Sequence, residues 1–186
     1  MIGPKLPTIL RGHLEKVLRG EEGISPDQLL AQDESLGVQG ASFITLTQAG
    51  QLRGCIGTVQ AHRSLARDLL DNAVAAATRD PRFSALRAEQ LADVRIEVSL
   101  LTPPEPFPYR DGLDLLKRLQ PGVHGVILRK GQRRATFLPQ VWQQLPDAKT
   151  FLTHLCLKAG LMEGCWQEGV DILVYTVEKF LEEKSF

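Results

Sequence analysis

The chain has 186 residues, 43% hydrophobic and 24% charged, with 22 basic and 22 acidic side chains and no formal net charge. That balance excludes general disorder, and the length allows one domain or two small lobes sharing a core. It also argues against nucleic-acid or membrane adhesion as the main activity, and no apolar run nears the roughly 20 residues a membrane helix needs.

Lys5, Arg11, His13, Glu15 and Lys16 interrupt the apolar stretch that a signal peptide would need, so a cytoplasmic location is expected. From Thr8 to Arg19, Ile9, Leu10, Leu14, Val17 and Leu18 recur at helical spacing between Pro7 and Gly20, the residues that start and stop helices. Ser25-Pro26-Asp27 can cap a short turn. Ala41 to Thr47 and Gln51 to Val59, with Gln48-Ala49-Gly50 between them, read as a hairpin. Ser64 can cap a helix running to about Thr78, and Asp80-Pro81 ends it. Asp93 to Leu101 alternates Val94, Ile96, Val98 and Leu100 with polar residues, the pattern of a half-buried strand.

Thr102 to Pro108 holds four of the eleven prolines and is expected to be an extended connector. Beyond it come a short helix (Leu113 to Leu119) and a second hairpin (Gly125 to Arg129, then Arg133 to Leu138). A helix from Thr150 to Ala159 is stopped by Gly160, and a last strand is expected from Asp171 to Phe180. Hairpin, helix and strand thus occur twice, in halves of about residues 1–102 and 109–186. An α+β fold with largely antiparallel sheet and one core running across the connector is expected.

The unusual segment is Leu52-Arg53-Gly54-Cys55-Ile56-Gly57-Thr58, where two glycines in one short strand suggest a bulge or a close backbone approach. Further strings are Asn72-Ala73, Asp80-Pro81-Arg82-Phe83, Ile96-Glu97-Val98-Ser99, Ala135-Thr136-Phe137-Leu138-Pro139-Gln140-Val141 and Lys158-Ala159-Gly160-Leu161. With these strings in this order, the sequence resembles the AMMECR-type domain family, also called AmmeMemoRadiSam system protein A, from about Phe43 to Tyr175. The resemblance implies one two-lobed domain over 1–186, with a barrel-like antiparallel sheet flanked by helices. It also implies a Memo-type protein and a radical S-adenosylmethionine enzyme as companions. It carries over no catalytic residues.

Strand spacing places Arg53 and Cys55 on one face, where a guanidinium would favour the thiolate. Cys55 is then either a nucleophile or a small core residue. Arg53 either clamps an anion or pairs with Glu97, and Glu97 is a general base or that ion-pair partner. His124 is a proton carrier or a hydrogen-bonded loop side chain. A pocket on the Arg53–Thr58 strand would add Gly54, Gly57 and Thr58 as ligand-binding positions. Three cysteines without a CxxC pair suggest free thiols in a reducing compartment. His13, His62, His154, Cys156 and Cys165 lack ligand spacing, so no metal is expected, and the absence of common nucleotide motifs gives no cofactor. The basic turn Arg129-Lys130-Gly131-Gln132-Arg133-Arg134 reads as a solvated edge guard, and nucleic-acid binding is not expected. Two functions remain: a small-molecule site for an anionic ligand with thiol chemistry at Cys55, or a non-catalytic adaptor for the Memo-type or radical enzyme.

Overall fold

Helix α1 (Leu6–Leu18) carries Pro7 in its first turn, where a missing N–H leaves no helical bond unmade. It stops in a Schellman motif: Gly20, at φ +79°, donates to Val17 O and Glu21 donates to Lys16 O, both at 3.0 Å. Helix α2 (Pro26–Leu30) has the Ser25 cap, completed as a capping box by Gln28. Strands β1 (Gln39–Gln48) and β2 (Gln51–Gly57) turn through Ala49 and Gly50, both at positive φ as a two-residue hairpin loop requires. A two-residue β3 (Arg63–Ser64) precedes α3 (Leu65–Thr78), whose first turn is capped by the Ser64 hydroxyl. Strand β4 (Val94–Leu101) buries Val94, Ile96 and Val98. The computed structural model describes residues 2–167 and 169–183.

The chain divides into two compact units, one up to Leu101 and again from Glu178, the other Thr102–Val177. The residues expected to form one last strand form two, β8 (Asp171–Tyr175) and β9 (Val177–Leu181). They part at Thr176 and join different sheets. The first sheet has the order β2-β1-β4-β9, with β1 antiparallel to β2 and β4. One cluster of buried side chains fills this unit, including Leu6, Leu10, Leu14, Ile44, Leu69 and Ile96.

In the second unit the proline-rich stretch supplies β5 (Glu105–Pro106), an edge strand on β8, which is where a proline can join a sheet. Helix α4 (Gly112–Arg118), strands β6 (Gly125–Lys130) and β7 (Arg133–Phe137) and helix α5 (Ala148–Lys158) follow. The sheet order is β5-β8-β6-β7. Its core includes Leu115, Val126, Leu128, Leu152 and Leu155, with Trp142 stacked on Phe151 at 3.7 Å between ring centroids. The repeated order is real at the level of topology: β2-β1-β4 with α3, and β7-β6-β8 with α5, connect alike. Two expectations are corrected. Both sheets are open, because the chain leaves the first at Leu101 to start the second instead of closing a barrel. The buried apolar side chains form two clusters, one in each unit, where a single core was expected. Among the described residues no helix is long and apolar enough to cross a membrane.

The cysteine reading also changes. Cys156 on α5 and Cys165 are joined in a disulfide across a sequence separation of 9, and both are buried. Spacing hid this, since helix α5 ends and the chain reverses at Gly160 between them. A loop of that size constrains the unfolded chain by about 2–3 kcal/mol. Replacing both cysteines by alanine is therefore expected to destabilise the second unit by about that much, read from denaturant melts with and without reductant.

Candidate functional site at the Cys55 edge

Strand β2 is an edge of the first sheet, and its register decides what Cys55 presents. Thr58 donates to Ser42 O at 2.9 Å, so with alternation Thr45 and Cys55 form a non-hydrogen-bonded pair. Their side chains therefore stand close, with Cys55 Sγ 3.4 Å from Thr45 Oγ1. The main-chain groups of Cys55 point outward instead. Its N–H donates to Asp80 Oδ2 at 2.9 Å, and its carbonyl accepts from Arg82 Nη2 at 3.4 Å.

Asp80 is buried and also accepts from Arg82 Nε at 3.0 Å and Nη2 at 2.7 Å, a two-pronged pairing. The Arg82 fork, then the Cys55 N–H, hold the Asp80 carboxyl well below the usual carboxylate range. Asp80 and Arg82 thus cover the sheet edge at Cys55 as a neighbouring strand would. Sequence reasoning used Asp80-Pro81 as a helix stop and Asp80-Pro81-Arg82-Phe83 as one of the family strings, and gave neither charged side chain a role. The missed signal was an acid and a base two residues apart immediately after that helix.

The expected bulge is present. Leu46 pairs with Gly54 and Thr47 with Leu52, leaving Arg53 as the extra residue. The Arg53 guanidinium lies 5.9 Å from the centre of the Phe83 ring, and Arg82 lies 5.5 Å from the same ring. Among the described residues Arg53 has no carboxylate partner, whereas Arg82 has Asp80. Cys55 is half-buried and in no disulfide.

The two glycines are accounted for by packing. A Cβ on Gly54 would lie 2.2 Å from the Ala76 carbonyl oxygen of α3, and one on Gly57 would lie 2.2 Å from the Phe43 ring. Thr58 is likewise engaged: its hydroxyl donates to Asp68 at 2.6 Å and accepts from Asn72 at 3.2 Å. Asp68, fully buried, also takes bonds from Ser42 N–H and Oγ, Asn72 Nδ2 and Arg63 Nε. This network, absent from the sequence reading, ties β1, the end of β2 and α3 together. An Asp and an Asn four apart beside the Leu65–Ala77 apolar stripe were its trace in the sequence.

Glu97 pairs in register with Thr45, so Cys55, Thr45 and Glu97 form a row across three strands. Two strand spacings, about 9.5 Å, separate the Cys55 and Glu97 backbones. The carboxylate pairs with Lys179 at 3.3 Å, not with Arg53. His124 belongs to the second unit. Its Nδ1 accepts from Gln120 N–H at 3.2 Å, its ring meets Phe107 edge-on, and burial lowers its pKa. Cys55, Arg53 and Glu97 thus share one unit, and His124 is placed in the other. In the basic turn Arg129, Arg133 and Arg134 are exposed, and Arg133 donates to Gly160 O. Among the described residues no group of three or more His, Cys, Asp or Glu is arranged to hold a metal ion.

Together the fold and the edge define an α+β protein of two open antiparallel sheets, with a free thiol at the edge of the first and, beside it, an arginine that has no carboxylate partner among the described residues. The AMMECR1 family model matches residues 8–180. A protein of Methanothermobacter thermautotrophicus is 38% identical over 168 residues, covering 89% of this chain and 86% of its own. One from Thermotoga maritima is 37% identical over 169 residues, covering 90% and 91%. The crystal structure of an uncharacterized protein from Pyrococcus horikoshii superposes with a TM-score of 0.77 at 31% identity, covering 97% of this chain and 91% of that one. The chain belongs to the AMMECR1 family.

Proposed function

We propose that the Cys55 edge binds a small anionic molecule and presents the thiol to it for nucleophilic chemistry. The observation that carries this reading is the Arg53 guanidinium. It projects from a bulge two residues before a free, half-exposed thiol, and no carboxylate among the described residues neutralises it. A planar two-pronged donor in that position suits a carboxylate or phosphate. Arg82 differs because Asp80 already occupies it. Asp80 and Arg82 hold the strand rigid around Cys55, and Phe83 offers an aromatic face shared by both guanidiniums.

Two alkylating reagents of similar size test this, one anionic (iodoacetate) and one neutral (iodoacetamide). Their rate ratio at Cys55 cancels the thiolate fraction and reports the local preference for an anion. The native protein is expected to favour iodoacetate by about tenfold relative to a free thiol, the worth of one charge-assisted contact. Arg53→Gln should abolish that preference, while Arg53→Lys should retain part of it. An unchanged ratio in Arg53→Gln, or a Cys55 that resists both reagents until the protein unfolds, would sink the reading.

A further inference from the structure

A cavity of about 410 Å³ lies within the first unit between α1, the loop after it and α3. Its floor holds His13, at 7% exposure on the otherwise apolar buried face of α1. The Nδ1 atom is sealed from solvent and has no hydrogen-bond partner. Gly23 closes over it so tightly that a Cβ there would lie 2.4 Å from Nδ1. A buried N–H left without an acceptor is rarer than an unmet lone pair, so the ring proton is assigned to Nε2, the ring nitrogen that is not sealed.

The walls add Val17, Ile24, Leu70 and Val74 as apolar surface. Of the charged lining residues, Asp71 is already shared by Arg63 at 2.6 Å and Arg67 at 3.2 Å. Glu22 and Arg79 are different. Both are exposed, and neither side chain has an ion pair or hydrogen bond among the described residues. One unpaired charge of each sign on the rim, a buried imidazole donor in the floor and an aliphatic wall make up a recognition pattern.

We propose that this cavity binds a small zwitterion with an apolar body, the chemistry an apolar α-amino acid presents. Its ammonium meets Glu22, its carboxylate meets Arg79 and the His13 Nε2–H, and its side chain lies on Val17, Ile24, Leu70 and Val74. The volume falls within the range of small-molecule sites. The site is separate from the Cys55 edge and stands without it.

Calorimetric titration of the whole protein tests the proposal with L-leucine, L-phenylalanine, N-acetyl-leucine and leucinamide. Saturable one-site binding of the free amino acids is expected, with at least tenfold weaker binding of both blocked forms, each of which lacks one charge. Arg79→Gln and Glu22→Gln alter exposed side chains, so an unchanged melting temperature confirms their fold, and each should weaken leucine binding by a similar factor. The His13 imidazole resonance should shift on adding leucine. No heat and no His13 shift at millimolar amino acid overturns the proposal. So do blocked forms that bind as well as leucine, or unchanged affinity in both variants.

Discussion

Asp68→Ala is expected to destabilise the first unit by about 3 kcal/mol, the low end of the cost of removing one partner from a buried charge pair, because the Arg63 side chain is part-exposed and keeps Asp71. Asp68 is fully buried and accepts from five donors: Ser42 N–H at 2.8 Å, Ser42 Oγ at 2.7 Å, Thr58 Oγ1 at 2.6 Å, Arg63 Nε at 2.8 Å and Asn72 Nδ2 at 2.9 Å. Alanine removes every acceptor at once, leaving Arg63 with Asp71 and weaker company. Domains of this kind hold only about 5–15 kcal/mol in total, so the variant should sit near the edge of folding. Asp68→Asn keeps the shape but turns a donor towards donors, and it should fall between the two. Denaturant midpoints at unchanged slope measure the effect. A loss below about 0.5 kcal/mol, the range of ordinary surface changes, would show that the network is not a structural keystone.

Gly54→Ala is the second large effect. The added methyl carbon would lie 2.2 Å from the main-chain oxygen of Ala76, and a helix backbone cannot rotate out of the way as a side chain can. Helix α3 must move as a body off β2, and it carries the buried row Leu69, Ala73, Ala76 and Ala77 with it. Overpacking costs about 1–3 kcal/mol where side chains can adjust, so a value at or above the top of that range is expected. Gly57→Ala meets the Phe43 ring, which can turn about its own bonds, and should cost less. Thermal melts of the two variants side by side check the order. The reverse order would overturn this account of the two glycines.

Sequence legibility followed the range of the interactions. Elements set by local spacing and caps were readable: the Ser25 and Ser64 caps, the Gly20 and Gly160 stops and the alternation of Val94, Ile96 and Val98 all act within a few residues. The two-glycine signal in β2 was readable as a bulge and a close approach. Its cause was not, because the atoms that occupy the space belong to Ala76 and Phe43. The split of the last strand at Thr176 was hidden since β-branched and aromatic residues run unbroken through it. Only the partners on either side, β6 for Asp171–Tyr175 and β4 for the strand from Val177, distinguish the halves. Of the candidate site, Cys55 and Arg53 were legible from residue type and spacing. Asp80 and Arg82 were not, because their importance lies in meeting a strand 25 residues away.

The return of β9 to the first sheet orders events on a growing chain. Thr102 and Thr176 bond to each other, N–H to O at 3.0 Å and N–H to Oγ1 at 2.9 Å, so the second unit enters and leaves through one pinned neck. Everything between is continuous and can finish folding as soon as it is made. The first unit, although begun earlier, must wait with the β4 edge uncovered until Val177–Leu181 emerges, and only then can Arg11 close on Glu182. An open strand edge is the element most prone to pair with the wrong chain. The earlier-made unit is therefore the later to be completed, and its exposure to misassembly lasts as long as synthesis of the inserted one.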